Sequence, residues 1–402
     1  MALTIHHQPQ LVSPVYNDLA FIVSTDHTPL DAFKFVVKVY HGGSLIKTLK
    51  YDRWPHGPYI QADVHRMLET RFAPMPQNLA LATGAAKFNL VHTTFAGYEV
   101  EFSEEDANVA LSGTTVAASG YTFNAAIKYL DWIDFDYNDF NMHPGTQARF
   151  LTNAPKTIKI RENEVAELGF ISLSKKANNA LITTYDAAGA VIAATQIDNT
   201  VYGGTSDSIS QALGFLCGPC HLGGSIITAD VAKYTVEMRD ATTTISEVFT
   251  FIIDRECSRN SPFRLHFLNR WGRFDSFTFT GGHKRSLKFN KSKYQKFTGY
   301  TDLDTMQWTN QGYARGTVAF DTEETEQYAL SSGWLSEEES DWLQELVGSP
   351  EVYWQAEPGN PKKLIAVNIT DDAYEVKNYA GKKLFSLAVN MQLAQPNYRQ
   401  RA

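Results

Sequence analysis

The chain has 402 residues, of which 43% are hydrophobic and 20% charged, a balance typical of folded globular proteins. This length exceeds what a single hydrophobic core usually serves, so we expect two or three domains. No run of about 20 apolar residues is present, and the first residues lack the pattern of a signal peptide. We therefore expect no membrane insertion. Three cysteines cannot form a disulfide framework, so we expect the chain to fold inside a cell.

The formal net charge of −8 is distributed unevenly along the chain. Residues 255–296 contain eleven Lys or Arg residues and only two acidic residues, whereas acidic residues are in excess on both sides. Two interpretations stay open. The basic stretch is either solvated charge that clusters by chance, or a basic face that meets an acidic subunit surface or DNA.

Residues 1–142 are predicted to form a β-sandwich with an aromatic extension. Phe33, Phe35, Val37 and Val39 alternate with other residues, which is the period of a strand with one buried face. Further strands are predicted at 19–23, 45–51 and 98–103, with a turn at 41–44. A short helix is predicted over 63–72, N-capped by Asp63.

Residues 143–260 are predicted to form a second sandwich, since short apolar runs alternate with turns. The predicted strands lie near 157–160, 167–173, 180–185, 191–196, 225–228, 234–239 and 247–253.

Residues 261–402 are predicted to form a C-terminal β-rich domain that carries one helix near 336–347. A hairpin is expected at 264–268 and 274–279, and later strands at 352–355, 364–369 and 384–392. Ser336 and Glu339 have the spacing of a capping box ahead of an apolar stripe. The predicted fold class is therefore mainly β: tandem antiparallel β-sandwich (Ig/fibronectin-III-like) domains with a C-terminal α+β region.

Two motifs are typical of chemistry but fail on their context. Cys217 and Cys220 have the spacing of a redox motif, but the following glycines make a poor helix start, so a turn between strands is the better interpretation. A calcium loop beginning at Asp134 would need Gly at its sixth position and Glu at its twelfth, where Asp139 and Gly145 stand. A looser calcium site stays open. No phosphate-binding loop, nucleophile elbow or zinc-protease motif occurs. We therefore predict no enzyme, and no catalytic, cofactor or metal residues.

The basic stretch is predicted as a possible interaction face. Its candidate residues are Arg264, Arg270, Arg273, Lys284, Arg285, Lys288, Lys291, Lys293 and Lys296. Charge interleaved with aromatic residues can hold single-stranded nucleic acid. Alternation of Leu265 with Phe267, and of Phe277 with Phe279, alternatively indicates the buried face of a hairpin.

Several segments resemble virion structural proteins of tailed phages that infect Bacteroidetes, including crAss-like phages. They are residues 13–18 (SPVYND), 21–26 (FIVSTD), 33–40 (FKFVVKVY), 123–126 (FNAA), 150–155 (FLTNAP) and 264–275 (RLHFLNRWGRFD). The resemblance implies a subunit of the virion tail or its connector, folded in the cytoplasm of the bacterial host before assembly. It implies rings or trimers of β-sandwich domains.

The expected partners are copies of the chain and other tail or portal-proximal virion proteins, and contact with DNA in the channel is compatible with this interpretation. The alternative is a tail-tip adhesin that binds carbohydrate or a receptor. Trp54 with Tyr59, or Trp132 with Tyr137, would then stack on sugar rings, although aromatic residues more often fill sandwich cores.

Overall fold

The computed structural model describes residues 3–27, 32–74, 76, 79, 87–90, 94–111, 115–173, 176–202, 211–257, 259–310, 312–313, 315–357, 360, 363–371, 373–374 and 385–401. Within these residues the chain is mainly β, with 28 strands and four short α-helices, which confirms the predicted fold class. The contacts define two compact units. The first comprises 1–256, 267–276 and 357–363, and the second comprises 257–266, 277–356 and 364–402. The division into domains at 1–142, 143–260 and 261–402 stays a prediction.

The first ten strands of the first unit include the nine that form its N-terminal sandwich. They are β1 (Leu3–His7), β2 (Val12–Pro14), β3 (Ala20–Thr25), β4 (Phe33–His41), β5 (Ser44–Tyr51), β6 (Tyr59–Asp63), β7 (Phe88–Leu90), β8 (Phe95–Asp106), β9 (Val109–Ala110) and β10 (Val116–Phe123). One sheet has the order β1-β3-β6, and the other has the order β2-β10-β8-β4-β5 with β9 beside β8. The alternating residues predicted for β4 are buried between these sheets, together with Phe21 and Phe102.

The helix predicted over 63–72 is shorter than expected. Helix α1 spans His65–Glu69, and Asp63 is the last residue of β6. Its Oδ1 accepts hydrogen bonds from the backbone N of Leu19 and of His65, both at 3.1 Å. The predicted N-cap is wrong by one residue, since the N-cap of α1 is Val64. The Asp63 carboxylate instead links the backbone just before β3 to the start of the helix.

A second sandwich lies in the same unit. Its elements are α2 (Tyr129–Ile133), β11 (Thr157–Ile160), β12 (Glu167–Ser172), β13 (Asn179–Tyr185), β14 (Val191–Asp198), β15 (Gln211–Leu216), α3 (Pro219–Leu222), β16 (Lys233–Asp240), β17 (Thr243–Thr244) and β18 (Phe249–Ile253). The larger sheet has the order β11-β18-β16-β13-β14 with β17 beside β16, and the smaller has the order β12-β15-β7. Strand β7 lies between β6 and β8 of the first sandwich in the sequence, but it pairs with β15 in the second sandwich.

The strand predicted at 225–228 is wrong. Helix α3 ends at Gly223, whose φ of 78° suits glycine, and a turn follows. The backbone N of Ile226 and of Ile227 donates to the carbonyl O of Gly223, at 3.1 and 3.0 Å. These β-branched residues thus continue a turn rather than a strand.

The second unit is built on one long sheet. Its elements are β19 (Phe263–Leu268), β20 (Phe274–Phe279), β21 (His283–Gln295), β22 (Gly299–Asp302), β23 (Gln307–Asn310), β24 (Thr317–Ser331), α4 (Glu337–Val347), β25 (Val352–Gln355), β26 (Leu364–Ile369), β27 (Ala388–Leu393) and β28 (Tyr398–Arg401). The order is β20-β19-β25-β26-β27-β24-β21 with β28 beside β24, and β22 pairs separately with β23. Residues 267–276, which comprise the end of β19, the turn and the start of β20, belong to the first unit.

Helix α4 confirms its prediction. The Ser336 side chain accepts from the backbone N of Glu339, and the Glu339 carboxylate accepts from the backbone N of Ser336. Trp342, Leu343 and Leu346 are buried along one side. No helix in the described part of the chain is long and apolar enough to cross a membrane.

Candidate interaction surface

The most unusual element of the second unit is β21, a strand whose thirteen residues are all exposed. It stands at the end of the sheet order and pairs along its whole length with β24. A strand of this length spans about 40 Å. We call the segment 283–331, which contains β21, the β22–β23 hairpin and β24, the arm.

Acidic residues of β24 are held within the unit by hydrogen bonds. The carboxylate of Glu326 accepts from Arg285, from the hydroxyl of Tyr328 and, at 2.9 Å, from Asn397. The hydrogen bond from Arg285 is the main reason that the pKa of Glu326 falls to about 2. Burial, with the hydrogen bond to this carboxylate, raises the pKa of Tyr328 to about 12. Glu326 therefore remains ionised over the physiological pH range.

Two further acidic residues of β24 also have partners. Asp321 accepts from Nε and Nη2 of Arg399 on β28, the shortest of these bonds being 2.6 Å. Glu324 accepts from the side chain of Asn397 at 2.9 Å. Three of the four carboxylates of β24 are thus hydrogen-bonded within their own unit, and of the basic residues of β21 they pair with Arg285.

The lysines of the arm are in a different state. They are Lys284, Lys288, Lys291, Lys293 and Lys296, and all five are exposed. None forms an ion pair among the residues that the structure describes. The arm therefore presents a run of free positive charge.

The arm also exposes apolar side chains next to these lysines. Leu287 and Phe289 on β21 are 45% and 47% exposed. Because alternate residues of a strand share a face, Leu287, Phe289, Lys291 and Lys293 point to the same side, which we call the arm face. Near the tip, Phe297 contacts Trp308 edge-on at 6.0 Å, and Leu303, Met306 and Tyr313 are more than three-quarters exposed.

The structure places the nine predicted basic residues in three environments. Lys284, Arg285, Lys288, Lys291 and Lys293 lie on β21, and Lys296 directly follows it. Arg270 is partly buried in the turn between β19 and β20. Arg264 and Arg273 are buried, so the prediction that they belong to an exposed face is wrong. Arg264 donates to Oγ1 of Thr278 at 2.9 Å.

Arg273 has a structural role in the first unit. It forms an ion pair with Glu167 on β12, and both side chains are almost fully buried. The pair lies over Gly169 and Gly214, which face each other on β12 and β15. A Cβ at Gly214 would lie within 2.2 Å of atoms of both charged side chains. The absence of side chains at the two glycines leaves the space that this ion pair occupies. Burial lowers the pKa of Arg273 to about 9.

The predicted redox motif lies in the core of the second sandwich. Cys217 is buried and Cys220 partly buried, and neither is in a disulfide. The backbone O of Cys217 accepts from the hydroxyl of Tyr234 at 2.8 Å. Residues 219–222 form the single-turn helix α3 rather than the predicted plain turn.

Asp18, Asp63 and His65 bring three possible metal ligands within 4.8 Å of one another. The two oxygens of Asp63 are already engaged, since Oδ1 accepts from two backbone N atoms and Oδ2 lies 2.7 Å from Nδ1 of His65. Asp63 and His65 are therefore already bonded to each other where β6 joins α1.

The aromatic pairs considered for sugar binding differ in exposure. Trp54 and Tyr59 are stacked with ring centres 6.2 Å apart, and Trp54 remains 44% exposed. Trp132 and Tyr137 pack against a buried cluster that contains Phe135 and Trp271. The indole of Trp54 is therefore more accessible than the partly buried indole of Trp132.

Comparison of the sequence with models of known protein families gives no match, and comparison with curated proteins gives none either.

Proposed function

We propose that this chain is a structural subunit of a tailed-phage virion, in the tail or its connector, that assembles with copies of itself through the arm. The observation that carries the proposal is the arm face, where Leu287 and Phe289 lie exposed beside unpaired lysines. Contiguous exposed apolar side chains on a folded protein are typical of protein–protein interfaces. Placement in a virion rests on the sequence resemblance alone.

The lysines restrict how the arm can associate. Strand β21 is the last in its sheet order, so an approaching strand could extend the sheet. Lysines along an edge strand oppose pairing between two identical edges, because their like charges would be brought together. The arm of one copy is therefore suited to an acidic surface rather than to the arm of another copy, which favours a contact between two different faces.

The test is the oligomeric state of the purified chain and of a Leu287→Ser, Phe289→Ser variant, measured by light scattering over a range of concentrations. We expect the original chain to form a closed oligomer of defined order and the variant to dissociate. A matched control is Val191→Ser, Ile192→Ser, which removes two exposed apolar residues from edge strand β14.

A chain that remains monomeric at every concentration and is absent from phage particles would overturn the proposal. Equal dissociation of the control would also count against it, because the effect would then not be specific to the arm. The neighbouring genes supply an independent check: portal, capsid and tail genes support a virion role, and a metabolic operon contradicts it.

A second candidate function is the tail-tip adhesin, and the accessible Trp54–Tyr59 stack favours it. Flat aromatic surfaces hold sugar rings through their apolar faces. A glycan array with the original chain and with Trp54→Ala checks this candidate. Binding that disappears in the variant supports it, and no binding to any glycan removes it.

A further inference from the structure

The first unit carries a surface whose chemistry complements the arm face. Residues 129–139, which we call the acidic patch, contain α2 and the short turn that follows it. Asp131, Asp134, Asp136 and Asp139 are all exposed. None of them forms an ion pair with another described residue.

The acidic patch also exposes apolar side chains. Tyr129, Leu130 and Ile133 are 77%, 75% and 61% exposed, whereas most large apolar residues of this unit are buried. The patch thus combines the same two features as the arm face, apolar residues and unpaired charge, but its charge has the opposite sign.

Buried contacts hold the patch in a fixed conformation. Phe135 and Phe140 are buried in an aromatic cluster with Trp271, with ring centres of Phe140 and Trp271 only 4.3 Å apart. The side chain of Gln10 donates to the backbone O of Phe135 at 2.6 Å and accepts from the backbone N of Tyr137 at 3.0 Å. Buried contacts therefore fix the segment that exposes Tyr129, Leu130 and Ile133. Because the segment is already ordered, little conformational entropy is lost when it binds a partner.

We propose that the arm face of one copy docks on the acidic patch of a second copy. Leu287 and Phe289 pack on the exposed apolar residues of α2, and Lys291 and Lys293 lie against the aspartates. The inference deepens the proposed function and rests on it, since it names the surface that the arm binds. Because the two surfaces differ, the contact is heterologous, and each copy can bind one neighbour with its arm and another with its patch.

The experiment reverses the charge on each surface of the full chain. The arm variant is Lys291→Glu, Lys293→Glu, and the patch variant is Asp131→Lys, Asp134→Lys. We expect each to weaken self-association at least about tenfold, because like charges then face each other across the interface. Combining all four substitutions in one chain restores complementarity, and we expect association to recover. Asp198→Lys, Asp230→Lys is the matched control on exposed aspartates elsewhere in the first unit.

Cross-linking tests the contact directly. Lys291→Cys and Asp134→Cys are placed in separate chains, both carrying Cys257→Ser to remove the exposed native thiol. After the two chains are mixed under mild oxidation, we expect a disulfide-linked dimer that contains one copy of each. Circular dichroism of every variant verifies that it is folded.

The outcomes separate the two proposals. If the arm variant dissociates but the patch variant assembles normally, or the fourfold variant fails to recover, the arm binds elsewhere and this inference is overturned while the proposed function stands. If the original chain never self-associates, the proposed function itself fails.

Discussion

The two parts of the basic stretch differ in which basic residue they use: residues 255–279 contain five Arg and no Lys, and residues 280–296 contain one Arg and five Lys. In residues 255–279, Arg255, Arg264 and Arg273 each bond to a partner within the fold, and Arg273 is buried against Glu167. In residues 280–296, the lysines of β21 are exposed and unpaired among the described residues. Arginine with a planar, multidentate head group suits the buried pairs, and the hydrated ammonium of lysine suits the exposed strand. Net charge along a sequence therefore does not by itself locate a surface.

The largest expected effect on stability comes from removing the charge of the buried Arg273. Arg273→Met leaves the carboxylate of Glu167 buried without its partner, and we expect a loss of about 3–5 kcal/mol in the free energy of unfolding. Urea denaturation measures it. Lys288→Met on the arm is the control and should change stability by no more than about 0.5 kcal/mol.

The pair itself can be separated from general packing by a double substitution. With Glu167→Gln added to Arg273→Met, the buried charge is gone, and the total loss should be smaller than the sum of the single losses. Equal stability losses for Arg273→Met and Lys288→Met would refute the distinction between the two parts.

A smaller effect is expected at the glycine that makes room for Arg273. Gly214→Ala places a methyl group against both charged side chains, and we expect a loss of about 1–3 kcal/mol from overpacking. Gly224→Ala is the matched control because its Cβ would meet open space. A calorimetric melting temperature that falls equally in both variants would contradict the proposed role of Gly214.

The smallest effect concerns Arg285 of β21, which forms an ion pair with Glu326. The pKa of Glu326 is about 2 in the folded chain, below its ordinary 4.5, so its contribution to stability is complete above about pH 4.5. That contribution is lost as the pH falls through 4.5 towards 2, because the unfolded chain binds the proton more tightly. We therefore expect the stability difference between the original chain and Glu326→Gln to shrink over this range.

Urea unfolding at a series of pH values measures that difference. Glu323→Gln serves as a matched loss of one carboxylate from the same strand. A difference between the original chain and Glu326→Gln that stays constant from pH 5 to 2 would show that the bond from Arg285 does not hold the carboxylate ionised.

Much of the fold follows from local sequence patterns. Strands at 352–355 and 364–369 have the predicted bounds, and the Ser336 capping box starts α4 as expected. Alternation is informative when one face of a strand is buried. It fails for β21, since neither face is buried and its side chains therefore follow no period-2 pattern of polarity. Residues 225–228 contain β-branched side chains that favour a strand, but the backbone hydrogen bonds to Gly223 make a turn there.

The candidate surface was predictable only in part. Charge along the sequence predicts the basic residues of the arm. The neighbouring residues in the sequence do not show that Arg273 is buried and Arg285 exposed. The burial of Arg273 depends on Gly169 and Gly214, which are distant in sequence. The anchoring of the acidic patch by Gln10 is a contact across more than 120 residues, which no local pattern indicates.

Strand β7 has a consequence for how the first unit folds during synthesis. Phe88 lies between two strands of the N-terminal sandwich, yet β7 pairs with β15, whose residues 211–216 are made more than 120 residues later. At ordinary translation rates this delay is on the order of ten seconds. The N-terminal sandwich can form its core in that time. The side chain of Phe88 stays exposed to water until Phe215, one of its two aromatic neighbours with Phe170, has been synthesised. We therefore expect chaperone binding to be strongest for a ribosome-bound chain that is halted near residue 200.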